Sequence, residues 1–233
     1  MRLTLFLTNP QFYERFGHDP LEWYERREAY TRSTAANSMV GMILGIGDRH
    51  AQNILIDEKT AELIHIDFGI TFEQGKTLKT PETVPFRLTA DIVDGFGVAG
   101  VAGVFSRSCE DTLAVLRNNA EAILTICEVF VHDPLHQWKV TAFKQRRMEM
   151  RGEDLEVQNN NGGGAAEEDR SASNNKIPSL EAERMLTRLR QKLQGQMDEG
   201  EPLSVAAQVK RAIQEATDDV NLATIYCGWA PFL

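Results

Sequence analysis

Asp48, Asn53 and Asp67 are the residues whose types and spacing could do chemistry in this chain. They stand in Gly47-Asp48-Arg49-His50-Ala51-Gln52-Asn53 and in His65-Ile66-Asp67-Phe68-Gly69. Asp48 and Asn53 are five positions apart, and Asp67 follows Asn53 by 14. Between them lie Asn53–Asp57 (NILID) and Leu63–Asp67 (LIHID), two Ile/Leu-rich runs separated by a polar stretch, a pattern that predicts a β-hairpin. A loop ahead of the first strand would present the Asp48 carboxylate to a hydroxyl. Asn53 and Asp67, at facing ends of the hairpin, would share magnesium through hard oxygen ligands. That combination suits transfer of a phosphoryl group to a hydroxyl. Taken singly, the three have plainer readings as a helix cap, a turn residue and a surface charge; together, at these offsets, they favour chemistry. His50 can donate to a phosphate oxygen or help to move the proton. Arg49 pairs locally or faces phosphate, and the sequence does not decide which.

These residues need elements to position them. Asp19-Pro20 has the pattern of an N-cap followed by proline at the first helical position, so a helix opens there and runs towards Ser38. Met39–Leu44 is a further apolar patch that ends at Gly45-Ile46-Gly47. After the hairpin, Ser108-x-x-Asp111 reads as a capping signal for a helix over Glu110–Arg117, and a second helix covers Glu121–Val131 up to Asp133-Pro134. Residues 151–176 carry almost no large apolar side chain and cannot offset their ordering entropy, which predicts a disordered linker. A helix over Ser179–Leu193 follows. Then Ser204 caps an amphipathic helix with Val205, Val209, Ala212, Ile213 and Ala216 on one face. Tyr226, Trp229 and Phe232 crowd the end of the chain, as a segment docked on a larger core would require.

Composition sets outer limits. The chain has 233 residues, 42% of them hydrophobic and 25% charged, ordinary values for a globular protein. With 25 basic and 34 acidic side chains it carries a formal charge of −9, which disfavours a direct nucleic-acid site. Cys109, Cys127 and Cys227 are odd in number and widely spaced, so a reducing intracellular compartment fits best. No stretch has the length and apolarity of a membrane span or a signal peptide.

Two phosphate-loop patterns fail on context. Gly95-x-Gly97-x-x-Gly100 follows a polar helical segment rather than a strand, so it does not open a βαβ unit. Gly69–Thr77 resembles a P-loop, but Ile70 stands where the first glycine should.

The surviving pattern matches the protein-kinase plan of a catalytic Asp, an Asn five residues on and a following D-F-G. The order D-R-H instead of H-R-D resembles the phosphatidylinositol 3-kinase-related family, as do the runs GMILGIGDRHAQNILID and HIDFGITFEQGKTLKTPETVPFRLT. Within that family, FEQGK and PFRLTADIVDG look most like the ATM type, which includes DNA-damage checkpoint and telomere-maintenance kinases. The run LSVAAQVKRAIQEAT and the ending NLATIYCGWAPFL resemble the FATC segment that closes such kinases. The resemblance implies a mainly α fold with a small β-hairpin, the large lobe of a PI3/PI4-kinase type, with the small lobe absent and a helical FATC tail. It divides the chain into the large lobe over 1–143, a regulatory linker over 144–200 and the FATC tail over 201–233. Only 47 residues precede Asp48, too few for the glycine-rich loop and Lys of a small lobe, so the isolated chain is expected to be inactive.

Carried over residue by residue, the resemblance makes Asp48 the catalytic Asp with His50 as its companion, and Asn53 and Asp67 the metal ligands. Leu55 and Ile66 look like the floor under adenine, with plain hairpin core an equal alternative. Asp67 to about Thr89 looks like an activation loop, opened by Phe68 and Gly69, with Pro85, Phe86 and Arg87 near the substrate. The implied cofactors are ATP and Mg2+, with Mn2+ as the alternative metal. The implied substrates are protein Ser/Thr-Gln sites. A nuclear location is implied, with a homodimer as the full-length enzyme and contact to a double-strand-break sensor complex through repeats upstream. Membrane partners are not expected. The rivals are a phosphoinositide lipid kinase and a non-catalytic interaction fragment. Residues 67–90 hold three basic and three acidic side chains, without the basic cluster that inositol phosphates need.

Overall fold

The computed structural model describes residues 3–5, 14–131, 182–197 and 201–229. Strand β1 is Leu3–Leu5. Helix α1 spans Pro20–Leu44. Strands β2 and β3 are Ile54–Asp57 and Leu63–His65. Helices α2 (Ala90–Gly95), α3 (Val104–Asn118) and α4 (Ala120–Val131) follow. Helix α5 covers 182–193, and α6 (Val205–Ala216) and α7 (Asp219–Thr224) form the tail. The expected linker 151–176 and the terminal Phe232 and Leu233 lie outside the described residues.

The chain forms two compact units, one of residues 1–119 with 192–233 and one of residues 120–191. In the first unit α1 begins where the sequence predicts. The Asp19 side chain accepts the Leu21 N–H at 3.0 Å, and Pro20 fills the first helical position. The helix does not pause near Ser38 but continues through Met39–Leu44, because burial continues there on most sides: Ser38, Met39, Gly41, Met42 and Ile43 are all buried. It meets α3 through Phe105, Cys109 and Leu113, each fully buried at a spacing of four. The Phe105 ring stacks on Phe96 at 4.6 Å, and Phe96 leans on Tyr30 at 5.8 Å. This packing corrects the expected start at Glu110: α3 opens at Val104, and Ser108 lies inside it. The Ser108-x-x-Asp111 pattern caps nothing, because burial of Phe105 draws the preceding turn into the helix.

The hairpin forms as expected, with Leu55 opposite Ile64 and Ile56 opposite Leu63. Asp57 closes its turn by accepting the N–H groups of Lys59 and Thr60 at 2.8 and 3.0 Å. Those two bonds favour the ionised carboxyl and lower its pKa. The sheet has a third strand that the sequence reading missed, since β1 pairs antiparallel with β2 and sets Leu5 opposite Leu55. On the other edge α1 caps β3: Asn37 donates to the Leu63 carbonyl at 2.9 Å and Ser33 accepts the Leu63 N–H at 2.8 Å. In the second unit, Leu124, Cys127 and Val131 are the buried residues of α4. Among the described residues no helix is long and apolar enough to cross a membrane.

Candidate active site

Asp48 lies between α1 and β2, in a loop that two backbone events create. Gly45 ends α1 in the left-handed region (φ 61°), where a side chain would strike the backbone of Glu73. The chain beyond then pairs with the segment that follows β3. The Gly47 N–H donates to the Ile70 carbonyl at 2.9 Å, Phe72 to Leu44 at 2.9 Å and Glu73 to Gly45 at 3.0 Å. The loop is thereby bound to the segment that carries Asp67.

Arg49 completes that binding. Its Nε donates to the Gly47 carbonyl at 2.9 Å, Nη1 to the Ile66 carbonyl at 2.7 Å, and Nη2 to the Asp67 carbonyl. The side chain is 2% exposed. Burial lowers its pKa, and the carboxylates of Asp48, Asp67 and Glu82 oppose that shift. Five donors in a fixed plane let one guanidinium hold several carbonyls at once. Sequence reading left Arg49 unassigned, since nothing in its neighbours says which carbonyls will converge on it.

The three chemistry-bearing residues are brought together around this arginine. Asp48 is half-buried with φ 58°, and Asp67 is exposed with φ 56°. The Asn53 amide nitrogen donates to the Asp48 carbonyl at 2.9 Å, which leaves Oδ1 as the oxygen it can offer to a cation. Asp67 uses Oδ1 to accept the Gly69 N–H at 3.0 Å, which leaves Oδ2 to face outward chemistry. His50 accepts the Gln52 N–H on Nδ1 at 3.2 Å, so the neutral ring carries its proton on Nε2, 3.7 Å from Asp48 Oδ1. Leu55 sits on the face of the sheet opposite the buried Ile54 and Ile56, and Ile66, just past β3, is 38% exposed. Leu55 is half-buried, and neither residue is among the fully buried core. The Phe68 ring lies 5.7 Å from the Arg49 guanidinium carbon.

The far end of the segment differs. Pro85 is half-buried, whereas Phe86 and Arg87 are 3% and 4% exposed. The last two, expected near the substrate, have side chains turned inward. Arg87 Nη1 donates to the Trp229 carbonyl, and its guanidinium lies 5.6 Å from the Trp229 ring. Thr83 Oγ1 donates to the Asn221 carbonyl at 2.9 Å, and Val84 joins the cluster of Leu222, Ile225 and Trp229. The tail thus docks on this stretch through Trp229; of the other aromatics expected there, Tyr226 is 62% exposed and Phe232 lies outside the described residues. Among the described residues no group of three His, Cys, Asp or Glu side chains could hold a metal. Asn53 and Asp67 offer two oxygen ligands, a set that suits a magnesium ion completed by waters and phosphate oxygens.

This fold agrees with the comparisons to known proteins. Residues 8–140 match the phosphatidylinositol 3- and 4-kinase family, and residues 202–233 match the FATC domain. The chain belongs to the phosphatidylinositol 3- and 4-kinase family and carries a FATC tail. It is 51% identical to the serine-protein kinase ATM of Sus scrofa, over 91% of this chain and 7% of that protein. It is 49% identical to the serine/threonine-protein kinase ATM of Arabidopsis thaliana, over 95% of this chain and 6% of that protein. The solved complete CtTel1 dimer with C2 symmetry superposes with a TM-score of 0.74 at 40% identity, over 97% of this chain and 7% of that one. The chain therefore spans less than a tenth of the length of these relatives. The expected fold class, a mainly helical PI3/PI4-kinase type with a FATC tail, holds, with β1 added to the hairpin.

Proposed function

We propose that this chain supplies the catalytic loop of an ATM-type serine/threonine protein kinase, acting on Ser/Thr-Gln sites in the nucleus in DNA-damage and telomere signalling. The observation that carries the reading is the Arg49 clamp, which binds the Asp48 loop to the carbonyls of Ile66 and Asp67. Asp48 accepts the proton of the substrate hydroxyl, and the Nε2–H of His50 donates to the oxygen that gains charge. Asn53 Oδ1 and the Asp67 carboxylate hold Mg2+, or Mn2+ in its place. Held there, the cation would supply the positive charge that neutralises the phosphates of ATP. Leu55 and Ile66 give adenine an apolar floor, and Phe68 shields the Arg49 clamp from water. The rest of the ATP site belongs to residues outside these 233, so the isolated chain should not turn over. The full-length enzyme is a homodimer in this reading, as the CtTel1 relative is named to be, and it reaches a break-sensor complex through its remaining length.

The test is phosphate transfer by the full-length enzyme, with a Ser-Gln peptide and phosphoinositide vesicles offered side by side. Phosphate should appear on the serine before glutamine, and Asp48→Asn should lower the rate by about 10²-fold or more. Phosphate on the inositol headgroup instead, or a rate within tenfold of the parent for Asp48→Asn, would overturn the assignment.

A further inference from the structure

Glu82 reaches from the segment after Asp67 to the loop that carries Asp48. Its Oε1 accepts the backbone N–H of Asp48 at 2.6 Å, the length of a charge-assisted hydrogen bond. The residue so held has φ 58°, a left-handed conformation that a non-glycine residue keeps only when its surroundings over-determine it. The fold makes room for this carboxylate on both sides. A Cβ placed on Gly47 or on Gly75 would collide with Glu82 Oε2, so the two glycines form the walls of its seat. Burial pushes the Glu82 carboxyl up, the hydrogen bond from Asp48 draws it down, and the Asp48 carboxylate adds a smaller push.

The same stretch of chain is where the tail attaches. Thr83 donates to Asn221 at 2.9 Å and lies 3.1 Å from the Thr224 hydroxyl. Val84 packs on Leu222, Ile225 and Trp229. The tail thus touches the two residues next to Glu82, and Glu82 touches the backbone of Asp48.

We propose that Glu82 is a positioning residue for Asp48, its carboxylate holding the Asp48 N–H and with it the side chain that acts in the chemical step. This rests on Asp48 as the group that accepts the hydroxyl proton. Without that carboxylate the Asp48 backbone relaxes towards ordinary φ. A displacement of the acceptor by about 1 Å costs on the order of a hundredfold in rate. The residue contacts neither the proposed metal ligands nor adenine, so the loss belongs to kcat.

The test uses the full-length enzyme with Glu82→Ala, Glu82→Gln and Asp48→Asn. Glu82→Ala should lower kcat by about tenfold to a hundredfold with KM for ATP and peptide within about twofold, the size expected when a charged acceptor is lost. Glutamine keeps an oxygen for the Asp48 N–H, so Glu82→Gln should recover most of that loss. Hydrogen exchange of residues 46–50 should quicken in Glu82→Ala, while α1 stays protected. Glu82→Gln as slow as Glu82→Ala, a loss confined to KM, or unchanged exchange at 46–50 in Glu82→Ala would each overturn the proposal. An active Asp48→Asn enzyme would locate the error in the base assignment. An inactive Asp48→Asn beside an undiminished Glu82→Ala would spare that assignment and remove only the positioning role.

Discussion

The two ends of segment 67–89 are held by opposite means. At the front, Asp67, Phe68 and Gly69 are exposed and fixed almost entirely through backbone groups: the Asp67 carbonyl on Arg49, and Ile70, Phe72 and Glu73 on the end of α1. At the back, Phe86, Arg87, Leu88 and Thr89 are each under 5% exposed and are fixed by their side chains. The front is held mainly by backbone hydrogen bonds, to which the Arg49 guanidinium on the Asp67 carbonyl, Asp67 Oδ1 on the Gly69 N–H and the Glu73–Lys192 ion pair add side-chain contacts. At the back, Thr83, Val84 and Arg87 give their side chains to the tail. An active-site segment needs both, because reacting groups must stay solvated while something else prevents them from moving.

If that contrast is right, Asp67→Asn should separate function from stability most sharply. Asparagine tolerates the left-handed backbone and can still accept the Gly69 N–H, yet it loses the charge proposed to hold the metal. In the full-length enzyme, phosphorylation of a Ser-Gln peptide should fall on the order of 10³-fold with the thermal unfolding midpoint almost unmoved. A clear drop in that midpoint would show that the front also carries structural load.

Trp229→Ala probes the back. Truncating a buried Trp typically costs about 3–5 kcal/mol, which is enough to undock the tail from Val84 and Arg87 without unfolding α1 and α3. Amide exchange of residues 83–89 should accelerate, whereas exchange along the front, 70–73, should change less. Equal acceleration at both ends would mean that the segment moves as one piece.

Arg87→Met should give a smaller loss. The aliphatic chain keeps its volume, but the Trp229 carbonyl loses its donor, at a cost of about 1–3 kcal/mol. Chemical denaturation with tryptophan fluorescence measures it directly. Thr83→Val should matter least: its hydroxyl lies in an exposed bond to the tail, so the expected change is within about 0.5 kcal/mol. A cost above that of Arg87→Met would place the main tail anchor at Thr83.

Much of the front was legible in the sequence and little of the back was. The hairpin and the Asp19-Pro20 cap are short-range patterns, and each forms where it was expected. Packing overrode one local signal: the capping pattern at Ser108 was absorbed into α3, where Phe105 is buried. Arg87 turns inward to the Trp229 carbonyl, a partner that no nearby residue announces.

The division has a physical cause. Caps, turns and strand alternation act between residues a few positions apart, so composition and spacing alone determined α1, the hairpin, the amphipathic α6 and the residue types of the site. Arg49 with the carbonyls of Ile66 and Asp67, Glu82 with the Asp48 N–H, β1 with β2, and Arg87 with Trp229 were decided only when the chain packed. The last of these joins residues 142 positions apart. An arginine or glutamate in isolation has many partners open to it, and only burial, which makes an unsatisfied charge or carbonyl costly, selects one.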